Sequence, residues 1–168
     1  ITSGRPDFLK VYLVHSEDDD AIGKSGQSPQ RSGLHPRLVP QIVTKAHAAG
    51  LKVTAHVETA ADFRQAVRAG VDELAHVPGW LVTSAADAES ARLTEADARL
   101  ALERHVRVVT TAVAGSAMPS VPGHHPHGHH EGHATGPSDH HATAPDGSLA
   151  QVLKDNIALL HRVGVRVV

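Results

Sequence analysis

Five short runs of apolar residues are spaced along the chain, and each is long enough for one β-strand. The runs are continuous rather than alternating, which is typical of strands buried on both faces of a parallel sheet. The predicted strands are residues 8–14, 52–57, 71–76, 106–113 and 165–168. Helical patterns separate the runs and predict helices at residues 36–49, 60–69, 95–105 and 148–163. Strands that alternate with helices indicate an α/β fold with a parallel sheet.

The ends of the predicted helices carry recognisable signals. Gly50, Gly70 and Gly164 each follow a helical segment and precede an apolar run, so we expect them in the left-handed conformation that ends a helix. Thr59 and Thr94 are good N-caps, and an aspartate follows each of them three positions later, as in a capping box. The loops after the strands then open on one side of the sheet, where α/β active sites lie.

Composition narrows the class of protein. The chain has 168 residues, a formal net charge of −2 and 40% hydrophobic residues, which suits one domain or part of a larger one. The low charge gives no reason to expect nucleic acid or a membrane surface as partner, and we expect a cytoplasmic protein. The chain contains no cysteine, so disulfides and thiolate metal ligands are excluded.

Two polar segments interrupt the alternation of strands and helices. Residues 15–35 and 115–147 are rich in glycine and polar side chains, and we predict two long loops within one partial domain that spans residues 1–168. The second loop contains a histidine-rich tract, residues 124–141, with eight of the 15 histidines. Because the chain starts at Ile1 and ends on the apolar run GVRVV without a turn signal, we expect a fragment of a longer protein.

His56 and His76 occupy equivalent positions at the ends of successive apolar runs, VTAH and ELAH. The carboxyl ends of parallel strands meet at one edge of a sheet, so the two imidazoles are candidates for ligands of one metal centre. A single histidine of this kind is more often a core residue bonded to a carbonyl. The repetition one βα unit later favours the metal site for the pair.

Lys10 lies within the apolar run DFLKVYLV. A lysine in a buried strand is costly to desolvate unless it is paired, neutralised or modified, although a lysine near a strand end can also extend to solvent. Reaction of the neutral amine with carbon dioxide would give a carbamate, a negatively charged group that can bridge two cations.

The segments DFLKVYL, GLKVTAHVET, GVDELAHVPG, VRVVTTAV and GVRVV together resemble the amidohydrolase superfamily, in particular its prolidase-like and imidazolonepropionase-like branch. The resemblance implies a partial (β/α)8 TIM barrel, approximately strands four to eight. It implies carboxylated Lys10 as a bridging ligand, His56 and His76 as ligands of the second metal, and two Zn²⁺ ions in the full site. The implied activity is hydrolysis of a C–N bond in a small amide, cyclic amide or dipeptide by a metal-activated water, and a homo-oligomer is compatible with it.

The chain departs from the family pattern in two places. The two-histidine motif of the first strand is expected upstream of Ile1, and the catalytic aspartate is expected beyond Val168, so the catalytic residue is unknown in this sequence. The resemblance therefore implies about half of a metal site, and we expect this chain alone to be inactive. The sequence assigns no partner role to Glu58 or Glu73. Thr110, Thr111 and Trp80 either line the pocket or serve packing.

Two other functions remain open from the sequence. The histidine-rich tract is compatible with a metal-binding or metal-buffering protein on a catalytically silent α/β scaffold, since its spacing supports weak and plural metal binding. The third interpretation is an α/β domain in which the strand histidines are structural.

Overall fold

The computed structural model describes residues 6–14, 16, 33–80, 82, 84–111 and 147–168. Its strands are β1 (Phe8–Tyr12), β2 (Lys52–His56), β3 (Glu73–Ala75) and β4 (Arg107–Val109). A 3-10 turn, Pro36–Leu38, leads into α1 (Val39–Ala48). The other helices are α2 (Ala60–Ala69), α3 (Ala85–Ala91), α4 (Glu95–Glu103) and α5 (Gly147–Val163).

The four strands form one parallel sheet in the order in which they occur along the chain, β1-β2-β3-β4. The fifth predicted strand is present as a single parallel bridge between Val167 and Val108. Hydrogen bonds of 2.9 Å from Val108 N to Arg166 O and from Thr110 N to Val168 O continue this pairing. Among the described strands the order never reverses, which is the arrangement of an arc of a (β/α)8 barrel rather than of a doubly wound sheet.

One face of the sheet is buried under the helices. Successive side chains of a strand alternate between the two faces, and Val11, Val53, Ala55, Leu74 and Val108 all lie on the helix-covered face, at 6% exposure or less. The helices contribute the other side of this core, with Phe63 as its largest side chain. The residues of the helix side that pack against the sheet also include Val39, Val43, Ala66, Val67, Ala98, Ala101 and Leu160.

The opposite face of the sheet is polar. Lys10, Thr54, Glu73 and Arg107 lie at matching register positions on the four strands. Glu73 accepts a 2.6 Å hydrogen bond from Arg107 Nε and a 3.3 Å bond from Thr54 Oγ1, so these neighbours satisfy its charge. In a closed barrel this face lines the interior, where polar side chains need such partners.

The expectation that the strands are buried on both faces is wrong for β1. Phe8 is 56% and Tyr12 is 51% exposed, and Lys10 is exposed as well. The reason is that β1 pairs with β2 alone among the described strands, so one edge and one face of β1 have no described neighbour. Burial of the Lys10 ammonium therefore gives no argument for its modification.

The local signals at the helix ends are confirmed. Both capping boxes form, at Thr59 with Asp62 and at Thr94 with Asp97. Gly50, Gly70 and Gly164 have positive φ angles. The strands are shorter than predicted, because the apolar residues at the ends of each run continue into loops that still pack on the core.

Helix α3 was not predicted, because its sequence AADAESA buries only Ala88 and Ala91 and so has no apolar stripe of large residues. None of the described helices has the length and apolar character needed to cross a membrane.

Candidate functional site

His56 and His76 come together at the carboxyl end of the sheet. His56 is the last residue of β2, and His76 follows the last residue of β3. Their ring centroids are 4.7 Å apart in an edge-to-face arrangement with an interplanar angle of 78°. His56 is 8% exposed. The sequence prediction that the two imidazoles meet at one edge of the sheet agrees with this geometry.

The backbone and ring of His76 are held by contacts with the end of β4. His76 has a φ of 76°, an uncommon conformation for a residue other than glycine, and its amide donates a 2.9 Å hydrogen bond to Val109 O. Its Nδ1 lies 2.5 Å from Thr111 Oγ1. Since the Thr111 hydroxyl donates to Thr110 O at 2.8 Å, it accepts from the His76 Nδ1–H. This tautomer leaves a lone pair on Nε2, as metal-binding histidines require.

The surroundings of His76 favour its neutral form. Burial is the largest cause that lowers the pKa of His76 to about 4, and the nearby His56 and Lys10 act in the same direction, whereas Glu58 opposes them. At neutral pH the imidazole is therefore uncharged, the state in which it can coordinate a cation.

Glu58 is the partner of His56. Its Oε1 lies 3.1 Å from His56 Nε2 and accepts the imidazole N–H. The loop that carries Glu58 is organised by the fully buried carboxylate of Asp62. Asp62 Oδ2 accepts from the amides of Glu58 at 3.1 Å and of Thr59 at 3.0 Å, and its Oδ1 accepts from the Ser16 amide at 2.8 Å. The capping-box pattern in the sequence identifies Asp62 as the partner of the N-cap Thr59. The bond between Asp62 and Ser16 joins residues far apart in the sequence, so no local pattern predicts it.

Aromatic side chains flank the two histidines. The Trp80 indole stacks on His76, with centroids 4.6 Å apart and an interplanar angle of 22°, and meets His56 edge to face at 5.8 Å. On the other side, the Tyr12 ring centroid is 5.1 Å from that of His56. The buried Trp80 Nε1 has no hydrogen-bond partner within the described part of the chain. Trp80 therefore lies against both imidazoles, and its role as a pocket wall stays a prediction.

The loop that carries Trp80 is attached to α5 by a buried asparagine. Asn156 is 2% exposed, and its Nδ2 donates to Pro78 O and to Ala91 O at 2.9 Å. Its Oδ1 accepts from the Leu93 amide at 3.0 Å. Gly79 packs so closely on α5 that a Cβ there would lie 3.1 Å from Leu153 N. Sequence reasoning missed both residues, because their partners are distant along the chain.

Lys10 lies on the same face of the sheet as His56, but one layer away from the strand ends. Its register partner is Thr54, whereas Tyr12 pairs with His56. The Lys10 Nζ lies 5.0 Å from the Tyr12 ring centroid. The side chain is therefore exposed beside the site, and its charge affects His76.

The donor groups at the strand ends suit a divalent cation in chemical type. Two imidazoles and a carboxylate are ligands that Zn²⁺ and related ions accept. Across the described ranges, no three His, Cys, Asp or Glu side chains already converge at coordinating distance. The site residues therefore fit part of a metal centre. The histidine-rich tract, residues 124–141, lies outside the described residues.

Comparisons with known proteins bear on the fold. No protein-family model and no curated protein matches the chain significantly. Among solved structures, the chain is similar to an A. niger ochratoxinase at TM-score 0.57 and 18% identity, over 96% of this chain and 30% of that one. It is similar to an amidohydrolase at TM-score 0.52 and 22% identity (96% and 32% covered), and to a Xaa-Pro dipeptidase with bound methionine at TM-score 0.53 and 20% identity (96% and 33% covered).

These similarities show the fold. The chain has a parallel α/β architecture that matches part of the barrels of those structures, as the expected partial barrel predicts. The chain spans about a third of the length of the structures that it matches.

Proposed function

We propose that the protein is a metal-dependent hydrolase that cleaves a C–N bond in a small amide, cyclic amide or dipeptide. The observation that carries the proposal is the contact between His56 and His76, with ring centroids 4.7 Å apart at the ends of adjacent parallel strands. The fold shared with an ochratoxinase and a Xaa-Pro dipeptidase supports it. Because the chain spans about a third of those structures, the proposal concerns a whole enzyme to which this chain contributes.

In this proposal His56 and His76 hold one of two divalent ions, with Zn²⁺ as the expected metal. Such ions lower the pKa of a bound water and polarise a carbonyl oxygen. Carboxylated Lys10 is proposed as the bridging ligand, on the resemblance to the family and on its position on the same face of the sheet. Thr111 fixes the His76 tautomer, and Trp80 and Tyr12 form the walls beside the two imidazoles.

The residues of this chain have separate tasks in binding and orientation. The stacked indole of Trp80 shields one face of His76 from water. The Asp62 network fixes the loop after β2, so that Glu58 stays beside His56.

The test is hydrolysis by the whole enzyme, in the presence of Zn²⁺, of dipeptides ending in proline, N-acyl amino acids and cyclic imides. His56→Asn and His76→Asn should each lower kcat/KM at least about a hundredfold and reduce the bound metal. His161→Asn is the matched control, because His161 is an exposed residue of α5. Unchanged turnover and metal content in both strand variants would disprove the proposal.

Two further variants separate the parts of the proposal. Lys10→Ala should abolish activity, and added short carboxylic acids should restore part of it if a carbamate is the lost ligand. Full activity in Lys10→Ala would exclude the bridging role. Deletion of residues 124–141 should leave hydrolysis intact; if metal uptake were instead the sole activity ever detected, the metal-buffering interpretation would replace the hydrolase.

A further inference from the structure

Glu58 stands out at the strand ends because its carboxylate touches an imidazole on the side where a cation would bind. Its Oε1 is 3.1 Å from Nε2 of His56. We propose that Glu58 is a metal ligand, and that His56, His76 and Glu58 form a two-histidine, one-carboxylate site for a divalent cation within this chain. The inference rests on the proposed function for the presence of a metal, and it adds a ligand that the family resemblance does not include.

The separations of His56 from Glu58 and from His76 agree with ligands of one ion. With Zn–N and Zn–O bonds of about 2.0–2.2 Å and near-tetrahedral angles, two ligand atoms lie about 3.3 Å apart, and two imidazole centroids lie about 5 Å apart. The observed values are 3.1 Å between His56 Nε2 and Glu58 Oε1 and 4.7 Å between the two ring centroids. As the side chains stand, no three donors among the described residues converge on one point, so a bound cation would have to draw Glu58 and His76 together around it.

The third ligand is His76, whose ring lies against that of His56. His76 has its Nδ1 engaged by Thr111, which leaves Nε2 as its coordinating atom. The three groups thus come from two adjacent strand ends, without any residue outside the described part of the chain.

The position of Glu58 is fixed by its backbone. Asp62, which is fully buried, accepts hydrogen bonds from the amides of Glu58 and Thr59, and Ser16 donates to the other oxygen of Asp62. The side chains of His56 and Glu58 are 10% and 20% exposed. A carboxylate held by a rigid loop in a largely dehydrated site is a strong cation ligand, because little of its hydration remains to be lost.

The experiment is a titration of the 168-residue chain with Zn²⁺ in competition with a chromophoric chelator, and with Co²⁺ followed by visible absorption. Both are repeated on the chain lacking residues 124–141, so that the histidine-rich tract does not mask the site. Glu58→Gln keeps an oxygen that can accept from His56 but removes the charge. It should weaken Zn²⁺ affinity at least about tenfold and alter the Co²⁺ spectrum.

Two comparisons make the result decisive. Glu103→Gln removes an exposed carboxylate of α4 and should leave affinity and spectrum unchanged. Glu58→Asp keeps the charge on a shorter side chain and should bind with intermediate affinity; circular dichroism checks that each variant is folded. Affinity in Glu58→Gln equal to that of the unmodified chain would show that Glu58 merely orients His56, and would overturn the inference whether or not the enzyme hydrolyses amides.

Discussion

Asn156 is the residue whose replacement tests most directly how the candidate site is supported. It lies in α5, yet its three hydrogen bonds reach Pro78 before α3, Ala91 at the end of α3 and Leu93 after it. The bond to Pro78 anchors the segment that carries His76 and Trp80. Asn156→Ala removes all three bonds at once and leaves two carbonyl groups and one amide in a buried position.

The expected cost follows from these bonds. At about 1 kcal/mol for each buried hydrogen bond, three bonds contribute about 3 kcal/mol, and the space left by the shorter side chain adds to this. Asn156→Asp keeps the acceptor for Leu93 but directs a charged oxygen at two carbonyl groups. At neutral pH it should therefore destabilise the protein at least as much as the alanine variant.

The assay is urea unfolding of the chain followed by circular dichroism, with Lys154→Ala as control. Lys154 is exposed on the same helix, and its replacement should change the free energy of unfolding by less than about 0.5 kcal/mol. If Asn156→Ala cost less than about 1 kcal/mol with an unchanged denaturant slope, the asparagine would not be holding the loop, and the reasoning would be refuted.

Three other predictions use the described geometry. Gly79 and Gly164 have similar φ angles of 97° and 95°. A Cβ added at Gly79 would contact Leu153, whereas a Cβ added at Gly164 would have no described residue within 4 Å. Gly164→Ala should cost about 1–2 kcal/mol, and Gly79→Ala should cost more; equal costs in urea unfolding would disprove the close contact. Burial raises the Asp72 pKa, but bonds from the Val53 amide and from His47 outweigh it and hold the pKa below its usual value. Asp72 therefore stabilises the fold above about pH 4, and the stability difference from Asp72→Asn should shrink as the pH falls through the lowered pKa; a constant difference would contradict this. Finally, Trp80 is the single tryptophan of the sequence and stacks on His76, so Co²⁺ should quench its fluorescence in the unmodified chain and not in His76→Asn.

The parts of the structure that local chemistry controls could be predicted from the sequence. The capping boxes at Thr59 and Thr94 and the left-handed glycines depend on residues within one helical turn, so their signals survive in any tertiary context. The pairing of His56 with His76 was also accessible, because parallel strands connected by helices bring their carboxyl ends to one edge.

The remaining features depend on contacts between distant segments. The exposure of Lys10 could not be predicted from its apolar neighbours in the sequence, because it depends on which strands pair with β1. The tautomer of His76 depends on Thr111, and the support of the Trp80 loop depends on Asn156. Glu58 is near His56 in sequence, but the direction of its side chain follows from a loop held by Asp62 and Ser16.

The two halves of the candidate site therefore differ in how they are supported. His56 is held by β2 and Glu58 by the loop after it, whose hydrogen bonds to Asp62 are mostly local. His76 instead depends on β4 and, through its loop, on α5. Loss of the α5 contacts should release His76 and Trp80 first and leave the His56–Glu58 pair in place. A cation shared by both halves would bind only when they are together, so its binding would stabilise the contacts of α5 as well as the strand ends.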